Sequence, residues 1–208
     1  MNKNDLQFRV GELRPAVALV REFHYSHRSP SNIQFVGTFH QPCGQVVAAV
    51  FFSIPPTRWR ERVFELSRLV RHEDHRPSLS QLISLAVRAI QRDRLIDLLV
   101  SYADAAAGHH GGIYQACSWH YTGQRSPSMD GLVINGQFVP GRSCNSTYGT
   151  RSPTKLRLLH PDWTIEPHYD IGKHLYWRSL SKTGLQKADR LKLRRLPYPK
   201  PDHEMKTP

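Results

Sequence analysis

Leu98-Leu99-Val100-Ser101-Tyr102-Ala103-Asp104 begins apolar and ends polar, and after three alanines Gly108-His109-His110-Gly111-Gly112 follows. A short run of this kind is the pattern of a strand covered on both faces in the middle of a sheet. Open α/β sheets offer their ligand groups at the carboxyl ends of such strands, where Tyr102 and Asp104 stand here. The glycine-rich stretch reads as a loop leading into a short helix over 113–119.

The surroundings extend this pattern. Upstream, Pro77-Ser78 announces a helix. Ser78 with Gln81 fits a capping box, and Leu79, Leu82, Ile83, Ala86 and Ile90 recur at helical spacing with Arg88, Gln91 and Arg92 on the other face. Residues 63–70 read as a strand, one face carrying Phe64, Leu66, Arg68 and Val70. A charge on an apolar face needs a partner, because an unpaired buried ion is costly. Residues 33–40 and 45–54 form a hairpin across Gln41-Pro42-Cys43-Gly44, ended by Pro55-Pro56. Residues 7–13 read as a short strand, and Pro15 opens a helix running to Phe23. Downstream, 132–139 and 175–180 are further strands, and the basic C-terminus is partly helical with a disordered tip. The order strand, helix, hairpin, strand, helix, strand, helix, strands gives an α/β fold with a mixed central sheet and helices on both faces. At 208 residues the chain suits one domain, here 1–180, with a basic extension over 181–208.

Charge points to the partner. Lys and Arg number 29 against 17 Asp and Glu. Residues 181–200 hold Lys182, Lys187, Arg190, Lys192, Arg194, Arg195 and Lys200 against Asp189. Over 105–160, Arg125, Arg142, Arg151, Lys155 and Arg157 face only Asp130. Such an uneven excess favours a polyanion, because each neutralised phosphate releases counterions. The bland alternative is a soluble protein that is merely basic. No stretch approaches the roughly 20 apolar residues of a membrane helix, and Met1–Asp5 lacks the apolar core of a signal peptide, so the host-cell cytoplasm is the expected location. Cys43, Cys117 and Cys144 form no CxxC pair and read as reduced thiols.

Several side chains are placed to carry chemistry. Arg68 and Asp104 meet if their strands are neighbours, either as a register-fixing salt bridge or as a site in which Asp104 handles an amine proton. Tyr25, Tyr102, Tyr114 and Tyr121 lie near polar or glycine-rich segments, where tyrosine stacks on a displaced base, acts as an acid or simply packs. His24 and His27, His72 and His75, and His109 and His110 come in pairs without an HExxH. His109, in a glycine-rich loop at a strand end, reads better as an active-site residue than as a metal ligand. The absence of GxGxxG, GxxxxGK[ST], HxE…PCxxC and GxSxG disfavours dinucleotide enzymes, P-loop NTPases, zinc deaminases and α/β-hydrolases.

Ser101-Tyr102-Ala103-Asp104 with Gly108-His109-His110-Gly111-Gly112-Ile113-Tyr114-Gln115-Ala116 resembles the Mom family. Ser118-Trp119-x-Tyr121-Thr122-Gly123 and the upstream Glu65-Leu66-Ser67-Arg68-Leu69 extend the likeness over roughly 60–160. The resemblance implies a phage DNA-modification protein with a GNAT-like acyltransferase fold. It implies conversion of adenine in double-stranded DNA to N6-carbamoylmethyladenine, which protects phage DNA from restriction. It suggests Arg68, Asp104 and Tyr114 as central residues and His24-Tyr25 as a further family position, with Ser101, Tyr102, His109 and Tyr121 around the substrate.

In GNAT enzymes the loop after the fourth strand and the next helix start cradle a pyrophosphate on free backbone N–H groups. The corresponding segment here runs from Arg71 to Ser80, which makes Ser78 and Ser80 the candidate cofactor contacts. It lacks the usual glycine-rich signature and carries Glu73 and Asp74, so acyl-CoA and aminoacyl-tRNA both stand as group donors, the latter making tRNA a second partner. Iron has been connected with the family, but no clean 2-His-1-carboxylate spacing is present and no metal ligands are assigned. N6 is paired in duplex DNA, so the base must be flipped, at a cost of a few kcal/mol. Arg125, Arg142, Arg151, Lys155 and Arg157, with the basic tail, are expected to grip phosphates. Tyr25 or Tyr114 would hold the adenine, Asp104 would bind or deprotonate N6, and Arg68 would keep Asp104 ionised. The competing readings are a conventional GNAT acyltransferase acting on a protein or small-molecule amine and a non-catalytic DNA-coating protein.

Overall fold

The computed structural model describes residues 6–55, 59, 61–75, 77–93 and 95–200, apart from the side chain of Arg142. The expected disordered tip over 201–208 lies outside the described residues. The described chain divides into two compact units, one made of 6–103, 109–123 and 174–200, the other of 104–108 and 124–173.

The first unit is built on a sheet ordered β1-β2-β3-β4-β5-β10-β6. Its strands are β1 (Gln7–Val10), β2 (Ile33–His40), β3 (Val46–Ser53), β4 (Val63–Arg71), β5 (Leu98–Asp104), β6 (His120–Gln124) and β10 (Lys173–Ser179). Strands β1 to β4 pair antiparallel in succession, whereas β4 and β5 run parallel. The α/β reading with a mixed sheet therefore holds, and β5 is an interior strand as its apolar start requires.

Two helices cover opposite faces of β3. Ala16, Leu19 and Val20 of α1 (Leu13–Phe23) pack with Ala49, Phe51 and Val70. Leu82, Ile83, Ala86, Val87 and Ile90 of α2 (Leu79–Arg92) pack with Ala48, Val50, Phe52 and Leu66. Alternate residues of one strand thus serve two helices, the period-2 geometry that makes β3 apolar throughout. The start of α2 is where the capping signal put it, with the Ser78 hydroxyl accepting from the Gln81 N–H at 3.3 Å.

Strand β4 corrects one expectation. Phe51 stands opposite Arg68 and Phe52 opposite Leu66, so Ser67 is an extra residue in a β-bulge. The bulge reverses the alternation. Leu66 packs on the α2 side, whereas Val70 packs on the α1 side. Phe64, Leu66, Arg68 and Val70 do not share a face, because one unpaired residue sends Arg68 to the side of α1. The β4–β5 ladder ends at Leu66↔Ser101, just before that bulge, while β4 continues to Arg71.

Downstream, a single 3-10 turn (Ala105–Ala107) precedes the glycine-rich loop and α3 (Gly112–Ala116). Gly111 has φ +84°, and a Cβ there would collide with the Tyr176 ring. In the second unit, 132–139 is a hairpin rather than one strand. Strand β7 (Met129–Ile134) turns at Asn135-Gly136 into β8 (Gln137–Pro140). Both turn residues have positive φ, +48° and +80°, as the favoured two-residue hairpin loop requires. Strand β9 (Ile165–Tyr169) completes this small sheet on the other side of β7. Helices α4 (Gly141–Tyr148) and α5 (Pro153–Leu159) contribute Cys144 and Leu156 to its core. In the first unit the C-terminal segment forms α6 (Lys182–Arg190), which buries Ala188 with Trp59 and Trp177.

Candidate active site

The β4 bulge and the end of α1 bring several expected residues together. Arg68 donates from Nε to the Arg28 carbonyl at 3.1 Å and from Nη1 to the Ser67 carbonyl at 2.6 Å. The Ser67 hydroxyl lies 2.8 Å from that of Ser53 on β3. These bonds fasten the bulge and the chain after α1 to each other.

His24 ends α1 and is buried. Its Nδ1 accepts the Ser26 backbone N–H at 3.1 Å. A backbone N–H can only donate, so the neutral ring carries its proton on Nε2. Burial, then the Arg68 charge and the neighbouring His109 and His27, pull the imidazole from 6.5 down to about 4. At neutral pH His24 is therefore an uncharged ring with Nε2–H as a donor, and its Nδ1 lone pair is engaged. Tyr25 stacks on it at 4.4 Å and leans on the ring of His109 at 5.4 Å. Tyr25 itself is 55% exposed. The result is a solvent-facing aromatic platform seated on a buried one, close to a guanidinium and to the glycine-rich loop.

Behind the bulge lies a chain of hydroxyls. The buried Ser101 Oγ is 2.8 Å from the Leu66 carbonyl and 2.8 Å from the Tyr114 hydroxyl. The carbonyl can only accept, so when Ser101 gives its proton there, Tyr114 donates to Ser101. Burial pushes Tyr114 up to about 12, which keeps it a neutral donor. The Tyr114 ring lies 5.1 Å from that of Tyr176, whose hydroxyl donates to the His110 carbonyl at 2.6 Å. Tyr121 packs against the same Tyr176 at 5.1 Å, and its hydroxyl bonds Nδ1 of His174 at 2.9 Å. Burial also raises Tyr121 and Tyr176. Tyr114, Tyr121 and Tyr176 thus support the floor that holds the loop. Tyr176 and Ser67 were not singled out in the sequence, because their roles come from strands far apart in the chain.

Other expected residues go elsewhere. Tyr102 packs with the cluster of Trp59 and Trp177, accepting from Trp59 Nε1 at 3.1 Å. Residues 101 and 102 necessarily point to opposite faces of β5. Asp104 lies in the second unit, where Lys173 is its ion-pair partner at 3.4 Å and it accepts from the Ala106 N–H at 3.1 Å. On the sequence, Asp104 meets Arg68 if their strands are neighbours. The structure supplies Lys173, a residue near in the fold and distant in the chain. Arg125, Arg151, Lys155 and Arg157 are exposed in the second unit, and Arg157 also bonds the Ile165 carbonyl. The side chain of Arg142 lies outside the described residues.

At the start of α2 the Ser78 and Ser80 hydroxyls are 3.1 Å apart. With the free backbone N–H groups of the first turn they offer donors to an anion. Among the described residues no group of three or more His, Cys, Asp and Glu is placed to hold a metal ion. No helix among them is long and apolar enough to cross a membrane.

A family model described as the Mom protein family matches residues 5–200. No curated protein sequence matches the chain. Among solved structures, an N-acetyltransferase from Staphylococcus aureus Mu50 aligns with a TM-score of 0.51 at 12% identity, covering 86% of this chain and 100% of that one. A GNAT-family acetyltransferase from Desulfovibrio desulfuricans aligns with a TM-score of 0.50 at 11% identity, covering 85% and 99%. At these identities the likeness establishes the fold, which is GNAT-like.

Proposed function

Because this chain belongs to the Mom protein family, we propose that it is a phage DNA-modification transferase that converts adenine in double-stranded DNA to N6-carbamoylmethyladenine, shielding the DNA from restriction in the host cytoplasm. The observation that carries the reading is the exposed Tyr25 ring, stacked on a buried neutral His24 and leaning on His109. An extruded base needs an aromatic face and a polar edge, and this platform has both. His24 can hold Tyr25 in place without bringing a charge under the adenine. Arg68, tied to the bulge, supplies the cation of the site.

At the reacting atom N6 attacks the carbonyl carbon of a glycyl donor and gives up a proton, and the thiolate or tRNA 3′-oxygen leaves with its electron pair. The resulting N6-glycyl group must then isomerise, its amino nitrogen passing to the carbonyl carbon and N6 to the CH2 carbon, to become the carbamoylmethyl group of the same composition. The Asp104 carboxylate, with Lys173 as its counter-ion, is the group assigned to that proton. The donor is an acyl-CoA or an aminoacyl-tRNA. Either presents an extended arm, which can be offered to the strand ends where the β4–β5 ladder stops at Leu66↔Ser101, and a phosphate, which suits the Ser78 and Ser80 hydroxyls. Arg125, Arg142, Arg151, Lys155 and Arg157 are assigned to DNA phosphates. The fold favours one further reading, a conventional acyltransferase acting on a protein or small-molecule amine, for which acetyl-CoA turnover without DNA is the sign.

The test is to express the protein in bacteria, digest the cellular DNA to nucleosides and measure deoxyadenosine species by mass spectrometry. The wild type should yield a new adenine nucleoside that Tyr25→Ala and Asp104→Ala lose. Fragmentation must show an N6–CH2 linkage, because a glycyl group on N6 has the same composition but an N6–C(=O) bond. Unmodified DNA from abundant, folded wild type in phage-infected cells overturns the reading.

A further inference from the structure

From residue 174 to the last described residue, 200, the chain carries Arg178, Lys182, Lys187, Arg190, Lys192, Arg194, Arg195 and Lys200 against Asp189 alone. A charge run of this kind is ordinarily a loose, solvated tail. Here it is fastened. The Leu193 N–H bonds the Ala188 carbonyl at 2.9 Å and the Arg194 N–H bonds the Thr122 hydroxyl at 2.7 Å. Trp177 Nε1 donates to the Arg194 carbonyl at 3.0 Å, the Leu196 N–H to the Tyr121 carbonyl at 2.8 Å, and the Tyr198 hydroxyl to the Trp119 carbonyl at 2.9 Å. Leu196 bridges Tyr121 antiparallel on β6, the last strand of the seven-stranded sheet.

Covering a sheet edge explains the backbone of this strap, because an open edge invites unwanted pairing. It does not explain the side chains, since backbone groups make most of those bonds and any residue could supply them. Lys192, Arg194, Arg195 and Lys200 are all exposed on the strap. The Arg195 guanidinium lies 5.5 Å over the Trp177 ring, which also carries His120 at 4.6 Å. Burial, and after it the charges of Arg195 and Arg178, lower the pKa of His120. Four cations held on an ordered edge with no carboxylate among them repel one another, and a polyanion relieves that repulsion.

We propose that the strap over residues 192–200 is a preorganised contact for the phosphate backbone of duplex DNA, built into the first unit and additional to the cations assigned to DNA in the second. The assignment rests on duplex DNA being the substrate. Because the strap is already ordered, little conformational entropy is lost when it meets the duplex. Phosphate contacts position without reading sequence, so the strap raises affinity for all sequences alike.

The test compares the full-length wild type with the triple variant Lys192→Gln, Arg194→Gln, Arg195→Gln. Affinity for a short duplex is measured between about 50 and 200 mM salt, with an unmodified tRNA as second probe. The variant should stay folded with at most a small drop in thermal midpoint, since the fastening hydrogen bonds use none of these side chains and only the Arg195–Trp177 contact is lost. Its log K against log salt slope should be shallower by about 2 to 3, with duplex affinity at low salt falling at least about tenfold. An unchanged slope in a folded variant overturns the proposal and leaves the strap a mere edge cover. Weaker tRNA binding with unchanged duplex binding overturns it as well and assigns the strap to tRNA. A variant that unfolds is replaced by the single substitutions Arg195→Gln and Lys192→Gln, each expected to lower the slope by about 1. A wild type that fails to bind duplex at all refutes the substrate reading instead.

Discussion

Removing the Tyr114 hydroxyl should have opposite effects in two backgrounds. Ser101 Oγ lies 2.8 Å from both the Leu66 carbonyl and the Tyr114 hydroxyl, and all three groups are buried. In the wild type, Tyr114→Phe deletes one buried hydrogen bond and leaves no donor stranded, because Ser101 still serves Leu66. The expected loss of stability is about 1 kcal/mol. Ser101→Ala is worse, since it strands the Tyr114 hydroxyl where water does not reach. The two lost bonds, to the Leu66 carbonyl and with Tyr114, and the orphaned Tyr114 hydroxyl together cost about 2–4 kcal/mol. Adding Tyr114→Phe to Ser101→Ala removes the orphan and should return about 1 kcal/mol or more. The same substitution is thus destabilising in one background and stabilising in the other. Urea denaturation of the four proteins, with midpoints and slopes compared, measures the cycle. Equal losses from Tyr114→Phe in both backgrounds would refute the hydroxyl chain and with it the positioning role given to Tyr114.

Three further outcomes follow from the geometry. His24 titrates near 6.5 when unfolded and about 4 when folded. The unfolded chain therefore binds the extra proton between those values, and stability should fall as pH drops through that window. In His24→Gln the pH dependence over that window should be flatter than in the wild type, and an identical profile would show that burial of His24 is not its source. Gly111→Ala should destabilise by at least about 2 kcal/mol, combining a left-handed backbone cost with a collision against Tyr176. Gly108→Ala, at φ +70° with nothing within 4 Å, should lose only about 1 kcal/mol, and thermal melts that rank the two the other way would contradict the packing of the loop. Arg151→Gln with Lys155→Gln should make the salt slope of duplex binding shallower by about 2 and weaken all sequences equally, and an unaltered slope would remove both from the DNA surface.

Much of the fold was legible from local pattern. The hydrophobic repeat and Ser78 cap of α2, the β2–β3 hairpin and the apolar opening of β5 each report on their own few residues, and each stands where expected. The hairpin over β7 and β8 was legible too, through Asn135-Gly136, but a continuous apolar reading of 132–139 overrode it. Helices α4 and α5 are short and polar, and tertiary burial of Cys144 and Leu156 holds them in place of any strong repeat.

The sequence by itself determined the elements from β1 to β5, the order in which they alternate and the basic excess of the C-terminal half, because propensity, capping and charge are properties of neighbouring residues. Its family motif also pointed to Tyr25, Arg68, Ser101, Asp104 and Tyr114. Only the tertiary structure decided what each of them touches. The Ser67 bulge is a mismatch between two strands, so no reading of β4 alone could show that Arg68 leaves the face of Leu66. The partnership of Asp104 with Lys173 and the neutrality of His24 likewise arise from groups that only folding brings together. A side chain's partner and protonation state depend on distances of a few ångströms across the fold, and those distances are set by packing rather than by position in the chain.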